Sequence, residues 1–301
     1  MSTARMKAAS RERQKRGIPV KIANLNNRLV LVVGEGTAVD VERASNGKFS
    51  SSIQDVYGRW SEFTSWASSA SLADTENFTL EQLSCPTPAP SQIFAIGLNY
   101  ATHAAESGFN IPESPVVFTK YQSCLTGPTG DIVLPRGGNV DWETELVVVI
   151  GKEASHVSVA DAWTYVAGLS LGQDISERIT QAAGPAPQFG LGKSFDKFGP
   201  VGPVVVSPDE FANPDSIALG CEINGVEMQN GNTSDFIFSV SELISRLSAI
   251  VTLRPGDIIF TGTPAGVGLG RSPQVYLQPG DVLDTWAEGI GSMRHVFQAA
   301  K

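Results

Sequence analysis

Cysteine and histidine are both scarce, with three of each among 301 residues. Cys85, Cys124 and Cys221 are scattered and odd in number, which argues against a disulfide framework and against a cysteine-bound zinc; they read as core or surface thiols. With only His103, His156 and His295 available, any metal centre must lean on carboxylates. Basic residues are short too, 22 against 31 acidic ones, for a formal net charge of -9. Such a chain repels phosphate backbones, so nucleic acid is not an expected partner. No apolar run approaches the length of a membrane span, so none is expected. The exception to the acidic balance is residues 1–20. There Arg5, Lys7, Arg11, Arg13, Lys15 and Arg16 stand against Glu12 alone, a local charge of +5. The segment lacks the apolar stretch of a secretory signal. It reads as a flexible, solvated tail, with a targeting peptide or contact arm left open.

Turn formers, by contrast, are plentiful: 30 glycines and 18 prolines, many of them flanking strand-like segments. Residues 29–33 and 38–41 read as strands around a glycine turn, and 53–67 as a helix carrying Val56, Trp60, Phe63 and Trp66. The proline-rich stretch 85–90 reads as a linker. The expected organisation is therefore a tail over 1–20, a small N-terminal domain over 21–85, and a catalytic domain over 86–301. In the last of these, strand-length apolar runs occur at 93–96, 131–134, 146–150, 201–206, 217–223, 257–260 and 281–283. Helical stretches are fewer, at 100–106, 160–163, 176–182 and 239–250. Many strands and few helices argue against a doubly wound sheet or a (β/α)8 barrel and for a twisted, mainly β body.

Asp141-Trp142-Glu143-Thr144-Glu145 leads directly into an apolar run. If Glu143 and Glu145 lie on the strand, the period of 2 puts both carboxylates on one face, where they repel. A divalent cation would offset that cost, and so would water at a sheet edge. Asp174, ending the apolar segment 167–174, is a third acid, or else a turn or cap residue. Three carboxylates with water would make an oxygen-rich site suited to Mg²⁺ or Mn²⁺, with larger Ca²⁺ also accommodated. His103 and Glu106, three apart on a predicted helix, share a face. Glu106 could hold the imidazole in one tautomer while His103 polarises a water; a surface pair is the plainer alternative. Lys193, Thr263, Arg178 and Gln181 carry no signal by themselves that separates a site from a loop, a turn or a solvated helix.

Several separated motifs stand in a fixed order. Gly97-Leu98-Asn99-Tyr100 precedes His103 and Glu106, then come Phe118-Thr119-Lys120 and the 141–145 acidic stretch. Gly172-Gln173-Asp174-Ile175-Ser176 follows with Arg178 and Gln181, then Gly192-Lys193-Ser194-Phe195-Asp196, Thr261-Gly262-Thr263-Pro264 and Leu277-Gln278-Pro279-Gly280-Asp281. From about residue 93 to 297 the chain resembles the fumarylacetoacetate hydrolase family, in its smaller acylpyruvate hydrolase-like members. The resemblance implies a mainly β (α+β) fold built as a mixed β-roll, and a homodimer. It implies Glu143, Glu145 and Asp174 as metal ligands, Lys193 near the metal-bound end of the substrate, Arg178 and Gln181 in the pocket, and Thr263 on a substrate carboxylate. The segment around His103 and Glu106 would be a mobile lid. The expected reaction is metal-dependent hydrolysis of a C–C bond in an acylpyruvate-like 2,4-dioxo acid, a small 2-oxo acid substrate, in the cytoplasm. A decarboxylase of the oxaloacetate type, or an isomerase or lyase of an unsaturated 2-oxo dicarboxylate, would use the same chelate. A noncatalytic β-domain binding module is the alternative of another class. The chain departs from the family pattern at Glu177-Arg178-Ile179 and at Phe189, Gly190 and Leu191, positions expected in the pocket wall.

Overall fold

The seven residues of Thr144–Ile150 form a strand buried along its whole length. Side chains alternate across a strand, so Leu146, Val148 and Ile150 enter one hydrophobic cluster while Val147 and Val149 enter another. The strand Gly199–Val206, two places along the same sheet, divides its valines in the same way. A continuous apolar run is what burial on both faces requires, and these strands form the middle layer between two cores.

The structure is a computed structural model and describes residues 20–70, 74–106, 108 and 110–300. All but the last residue of the expected basic tail lies outside them. The large sheet runs in the order Thr75–Asn77, Thr37–Asp40, Arg28–Gly34, Lys21–Leu25, Gly199–Val206, Val166–Gln173, Thr144–Ile150, Ile258–Phe260, Ile93–Gly97 and Val116–Thr119. A second sheet is built from Val226–Asn232, Ala218–Ile223, Val282–Ala287, Gly291–Ala299 and Thr129–Leu134. Parallel pairing of Ile258–Phe260 with Ile93–Gly97, and of Gly291–Ala299 with Thr129–Leu134, makes the arrangement mixed. The mainly β architecture is the one the motifs implied.

On one face of the large sheet lie Phe49, Tyr57, Trp60 and Phe63, with Phe63 meeting Phe49 edge-on at 5.4 Å. The other face packs against Leu219, Ala287 and Met293 of the second sheet and against the helix Val240–Ser248. That helix is capped reciprocally by Ser239 and Glu242 and buries Val240, Leu243, Ile244 and Leu247 at helical spacing. Each such side chain contributes about 2 kcal/mol of apolar burial.

Three local differences from the sequence reading have physical causes. The helix expected over 53–67 is two helices, Ile53–Tyr57 and Trp60–Ala67, interrupted at Gly58 and Arg59. The strands of residues 21–85 extend the large sheet, because Lys21 and Ile22 pair with Val206 and Val205, and their side chains share a cluster with Val147 and Phe260. The apolar segment 167–174 is, up to Gln173, part of the central strand Val166–Gln173, and Asp174 follows its end. Its Gly172 hides the strand pattern for a packing reason: a Cβ there would sit 2.6 Å from Val147 and 2.7 Å from the Phe260 ring.

Candidate active site

Antiparallel register brings the acids together. Thr144 opposes Gln173 and Glu145 opposes Gly172. Glu143, one residue before its strand, therefore meets Asp174, one residue after the partner strand, and the Asp174 amide donates to the Glu143 carbonyl at 2.9 Å. Glu143 thus lies just outside the strand that carries Glu145. Ligand oxygens of Glu143, Glu145 and Asp174 lie within 4.8 Å of one another, and all three residues are buried.

Three buried cations surround them. The Lys193 ammonium donates to Glu143 Oε2 at 2.8 Å and to Asp174 Oδ2 at 2.7 Å. Lys120 donates to Asp174 Oδ1 at 2.7 Å, to the Phe198 carbonyl at 3.1 Å and to the Lys193 carbonyl. Arg178 reaches Glu143 Oε1 at 2.7 Å and Gln181 Oε1 at 2.9 Å through Nη1. Its Nε and Nη2 hold Asp141 Oδ2 at 2.9 and 2.7 Å. Asp141 is itself fully buried and also accepts the amides of Trp142, Gly268 and Leu269.

Burial works against every one of these charges. It pushes the Glu145 carboxyl well above the usual carboxylate range, and the adjacent Asp174 and Glu143 push it the same way. Burial acts on Glu143 too, but Lys193 and Arg178 outweigh it and hold that carboxyl below its ordinary range. For Lys193, desolvation is likewise overcome by Asp174 and Glu143, so the ammonium is held above its ordinary value. Glu145 has no ion-pair partner among the described residues; its Oε2 accepts the Gly262 amide at 2.7 Å. Gly262, at φ +101°, brings its backbone so near that a Cβ would lie 2.7 Å from Asn99.

These features fit a divalent cation. The three donors are hard carboxylate oxygens. With all ionised, four buried acids (Asp141, Glu143, Glu145, Asp174) exceed three buried bases (Lys120, Arg178, Lys193) by one charge, and a divalent cation would stabilise the ionised form of Glu145, the acid without a cationic partner among the described residues. Glu143, Glu145 and Asp174 are the residues that could hold the ion.

Above the cluster is a cavity of about 610 Å³ lined by His103, Glu106, Glu143, Arg178, Gln181, Lys193 and Thr263, together with apolar residues. His103 Nδ1 and Glu106 Oε1 lie 2.9 Å apart, and Glu106 accepts the Gly266 amide at 3.0–3.1 Å. This ties the helix Ala101–Glu106 to the loop after Thr263. Gln229 orients that loop: its Nε2 donates to Thr263 Oγ1 at 2.7 Å while its Oε1 accepts the Thr144 amide at 2.9 Å. All nine residues singled out in the sequence are thus in the cavity or the acidic cluster beside it. A larger groove, of about 740 Å³, lies beside Arg28–Gly34 but has no comparable group of acids, its charged lining being Lys21, Glu35 and Glu210.

Sequence reasoning did not assign Lys120, Asp141 or Gln229 to the site. Lys120 had a usable signal: it closes the Phe118-Thr119-Lys120 motif, directly after the strand Val116–Thr119 whose Phe118 lines the cavity. Of the departing positions, Phe189 lines the cavity, whereas Ile179 and Leu191 are 55% and 66% exposed and do not form its wall. The three cysteines are free and buried.

The family model described as fumarylacetoacetate (FAA) hydrolase C-terminal matches residues 92–298. The chain belongs to the fumarylacetoacetate hydrolase family. A mitochondrial oxaloacetate tautomerase from Bos taurus is 42% identical over 207 residues, 68% of this chain and 66% of the relative. A 2,4-didehydro-3-deoxy-L-rhamnonate hydrolase from a Sphingomonas species is 43% identical over 249 residues, covering 80% of this chain and 87% of the relative. Among solved structures, a candidate HpcE protein from Mycobacterium smegmatis superposes with a TM-score of 0.90 at 49% identity, over 93% of this chain and all of that one. The fumarylpyruvate hydrolase of Pseudomonas aeruginosa, solved with Mn²⁺ and pyruvate, gives 0.64 at 29% identity, over 70% of this chain and 91% of that one. This fumarylacetoacetate hydrolase family member therefore has enzymes as relatives, and their named chemistry includes both hydrolysis and tautomerisation. No helix among the described residues is long and apolar enough to cross a membrane.

Proposed function

We propose that the protein hydrolyses a C–C bond in an acylpyruvate-like 2,4-dioxo acid, releasing pyruvate and a carboxylic acid. The observation that carries this reading is the His103–Glu106 pair, 2.9 Å apart, in the same cavity as Glu143 and Lys193. With the proton on Nδ1 and donated to Glu106, Nε2 keeps a lone pair to take a proton from water. Thr263, whose oxygen already accepts from Gln229, has its hydroxyl proton free for the C1 carboxylate. Glu143, Glu145 and Asp174 would hold a divalent cation (Mg²⁺ or Mn²⁺, with Ca²⁺ as the larger option), which would supply Lewis acidity toward the oxygens of the oxo acid.

The hydroxide formed at His103 adds to the C4 carbonyl. The C3–C4 bond then breaks, its electron pair passing to the pyruvate enolate, and the imidazolium returns its proton to C3. Lys193 and Arg178 carry positive charge beside that developing anion, and Lys193 is kept protonated by Asp174 and Glu143. The hydrolase names of two relatives support this reading. The proposal extends to a cytoplasmic homodimer, for which light scattering should give twice 31.9 kDa.

Tautomerisation is the second reading, favoured by the relative named oxaloacetate tautomerase. The same residues would move a proton between C3 and oxygen without adding water. Acetylpyruvate and oxaloacetate assayed with Mg²⁺ and with Mn²⁺ separate the cases. Pyruvate release from acetylpyruvate without CO₂, lost in His103→Ala, supports hydrolysis. Accelerated loss of the oxaloacetate enol signal with acetylpyruvate left intact supports tautomerisation. CO₂ from oxaloacetate indicates a decarboxylase, and inertness toward every substrate together with no cation binding indicates a binding module.

A further inference from the structure

Among the described residues, each lysine and arginine that lines the cavity is already committed to a carboxylate. Arg178 holds Asp141 and Glu143, and Lys193 holds Glu143 and Asp174, while Nδ1 of the His103 ring is occupied by Glu106. What remains is neutral. Phe118 lies 5.2 Å from the Lys193 ammonium, and Phe189 meets Phe118 edge-on at 5.5 Å, so an aromatic wall begins at the acidic cluster and continues away from it. Leu98, Val116 and Leu269 extend the apolar lining. The amides are those of Gln181, which accepts from Arg178, and Gln274, which donates to the Leu269 carbonyl and accepts from Tyr276. These groups can hydrogen-bond a hydroxyl or a carbonyl. They cannot neutralise an anion, and the Glu106 carboxylate in the same lining would repel one.

Resting on the reading of this cavity as an oxo-acid site, we infer that the substrate is a monocarboxylate whose tail beyond C4 is neutral, an alkyl or hydroxyalkyl group. A second carboxylate placed against this wall would lose water and gain no cationic partner, so its binding is penalised relative to a neutral tail. Phe118, Phe189 and Leu269 are then the specificity-determining side chains.

The test compares two ligands of equal length that lack a 4-oxo group, so cleavage plays no part. Calorimetric titration of the Mn²⁺-loaded full chain with 2-oxohexanoate and with 2-oxohexanedioate is expected to show the monoacid binding more tightly by about 10-fold or more. Leu269, at 37% exposure, has room for a longer side chain at the cavity rim. Leu269→Arg is expected to narrow or reverse the preference, with Val116→Lys as the second variant. Equal or tighter binding of the diacid by the unaltered protein overturns the inference about the tail alone. Failure of both ligands to bind overturns it together with the oxo-acid reading of the cavity.

Discussion

Replacing Asp141 by asparagine removes one charge and changes almost no volume, yet the structure assigns it a large effect. Asp141 Oδ1 accepts the amides of Trp142 at 2.8 Å and Gly268 at 2.7 Å. Oδ2 accepts the Leu269 amide at 2.9 Å and two Arg178 nitrogens at 2.7 and 2.9 Å. Asparagine offers one acceptor oxygen and one donating NH₂. Whichever way the amide turns, at least two buried donors lose their acceptor, and each such loss costs about 1–3 kcal/mol. Arg178 retains Glu143 and Gln181, so the ion-pair loss is partial, and the total comes to about 3–5 kcal/mol. The loop carrying Gly268 and Leu269 also follows Thr263 and receives Glu106 at Gly266. Loosening it displaces groups on the substrate side, and a shift of order 1 Å costs about a hundredfold in rate. Urea denaturation of Asp141→Asn should show the stability loss, and hydrogen exchange should show faster exchange at the Gly268 and Leu269 amides. Cleavage of acetylpyruvate should fall with them. A stability change below about 1 kcal/mol with unchanged exchange at those two amides would refute the reasoning.

Other perturbations test separate parts of the molecule. Glu145→Gln should weaken Mn²⁺ binding by at least about a hundredfold, since changing outer partners of a metal site already costs up to that much; calorimetry reads it, and the rise in melting temperature on adding Mn²⁺ should disappear with it. Phe63→Ala empties a fully buried position among Phe49, Trp60 and Trp66 and should cost about 3–5 kcal/mol by chemical denaturation with little effect on cation affinity. Burial, aided by Lys197, holds the His295 imidazole down from 6.5 to about 4 against the opposing Gly127 hydrogen bond and the Asp284 charge, so between these values the unfolded chain takes up a proton that the folded one refuses. Stability from this group is complete above pH 6.5 and is lost on descent to pH 4, by about 3 kcal/mol in all, and His295→Gln should flatten that part of a denaturation series against pH.

The parts of the fold legible in the sequence were those where burial acts on a continuous run. Residues 146–150 and 201–206 are apolar because both faces of their strands are covered, and no knowledge of their neighbours is needed to read them. Val166–Gln173 was not legible, because Gly168 and Gly172 are required by close neighbours, Val205 for one and Val147 with Phe260 for the other. The acidic cluster divides in the same way. Glu143 and Glu145 announce themselves by spacing, but Asp174 joins them through register between two strands. Lys120 meets Asp174 across 54 positions of sequence. Asp141 was visible as an acid, but its pairing with Arg178 and the 268–269 amides exists only after three distant segments converge. Ile179 and Leu191 show the converse: positions expected in the pocket wall lie in the short helices Arg178–Gln181 and Phe189–Gly192 and are exposed to solvent.

Charge balance connects the metal reading to the inference about the substrate tail. Asp141, Glu143, Glu145 and Asp174 are opposed by Lys120, Arg178 and Lys193, so the buried set carries one net negative charge when all are ionised. A divalent cation would make this set net positive by one and a single carboxylate would return it to neutrality, with the Glu106 carboxylate in the cavity lining adding negative charge beside it. A second carboxylate would leave an unmatched anion in the same low-dielectric space, where charge is expensive. The apolar lining and this balance are independent observations, one concerning shape and the other concerning charge. They agree because the cations that might have received a dicarboxylate are needed, in this chain, to hold the acids that would bind a metal.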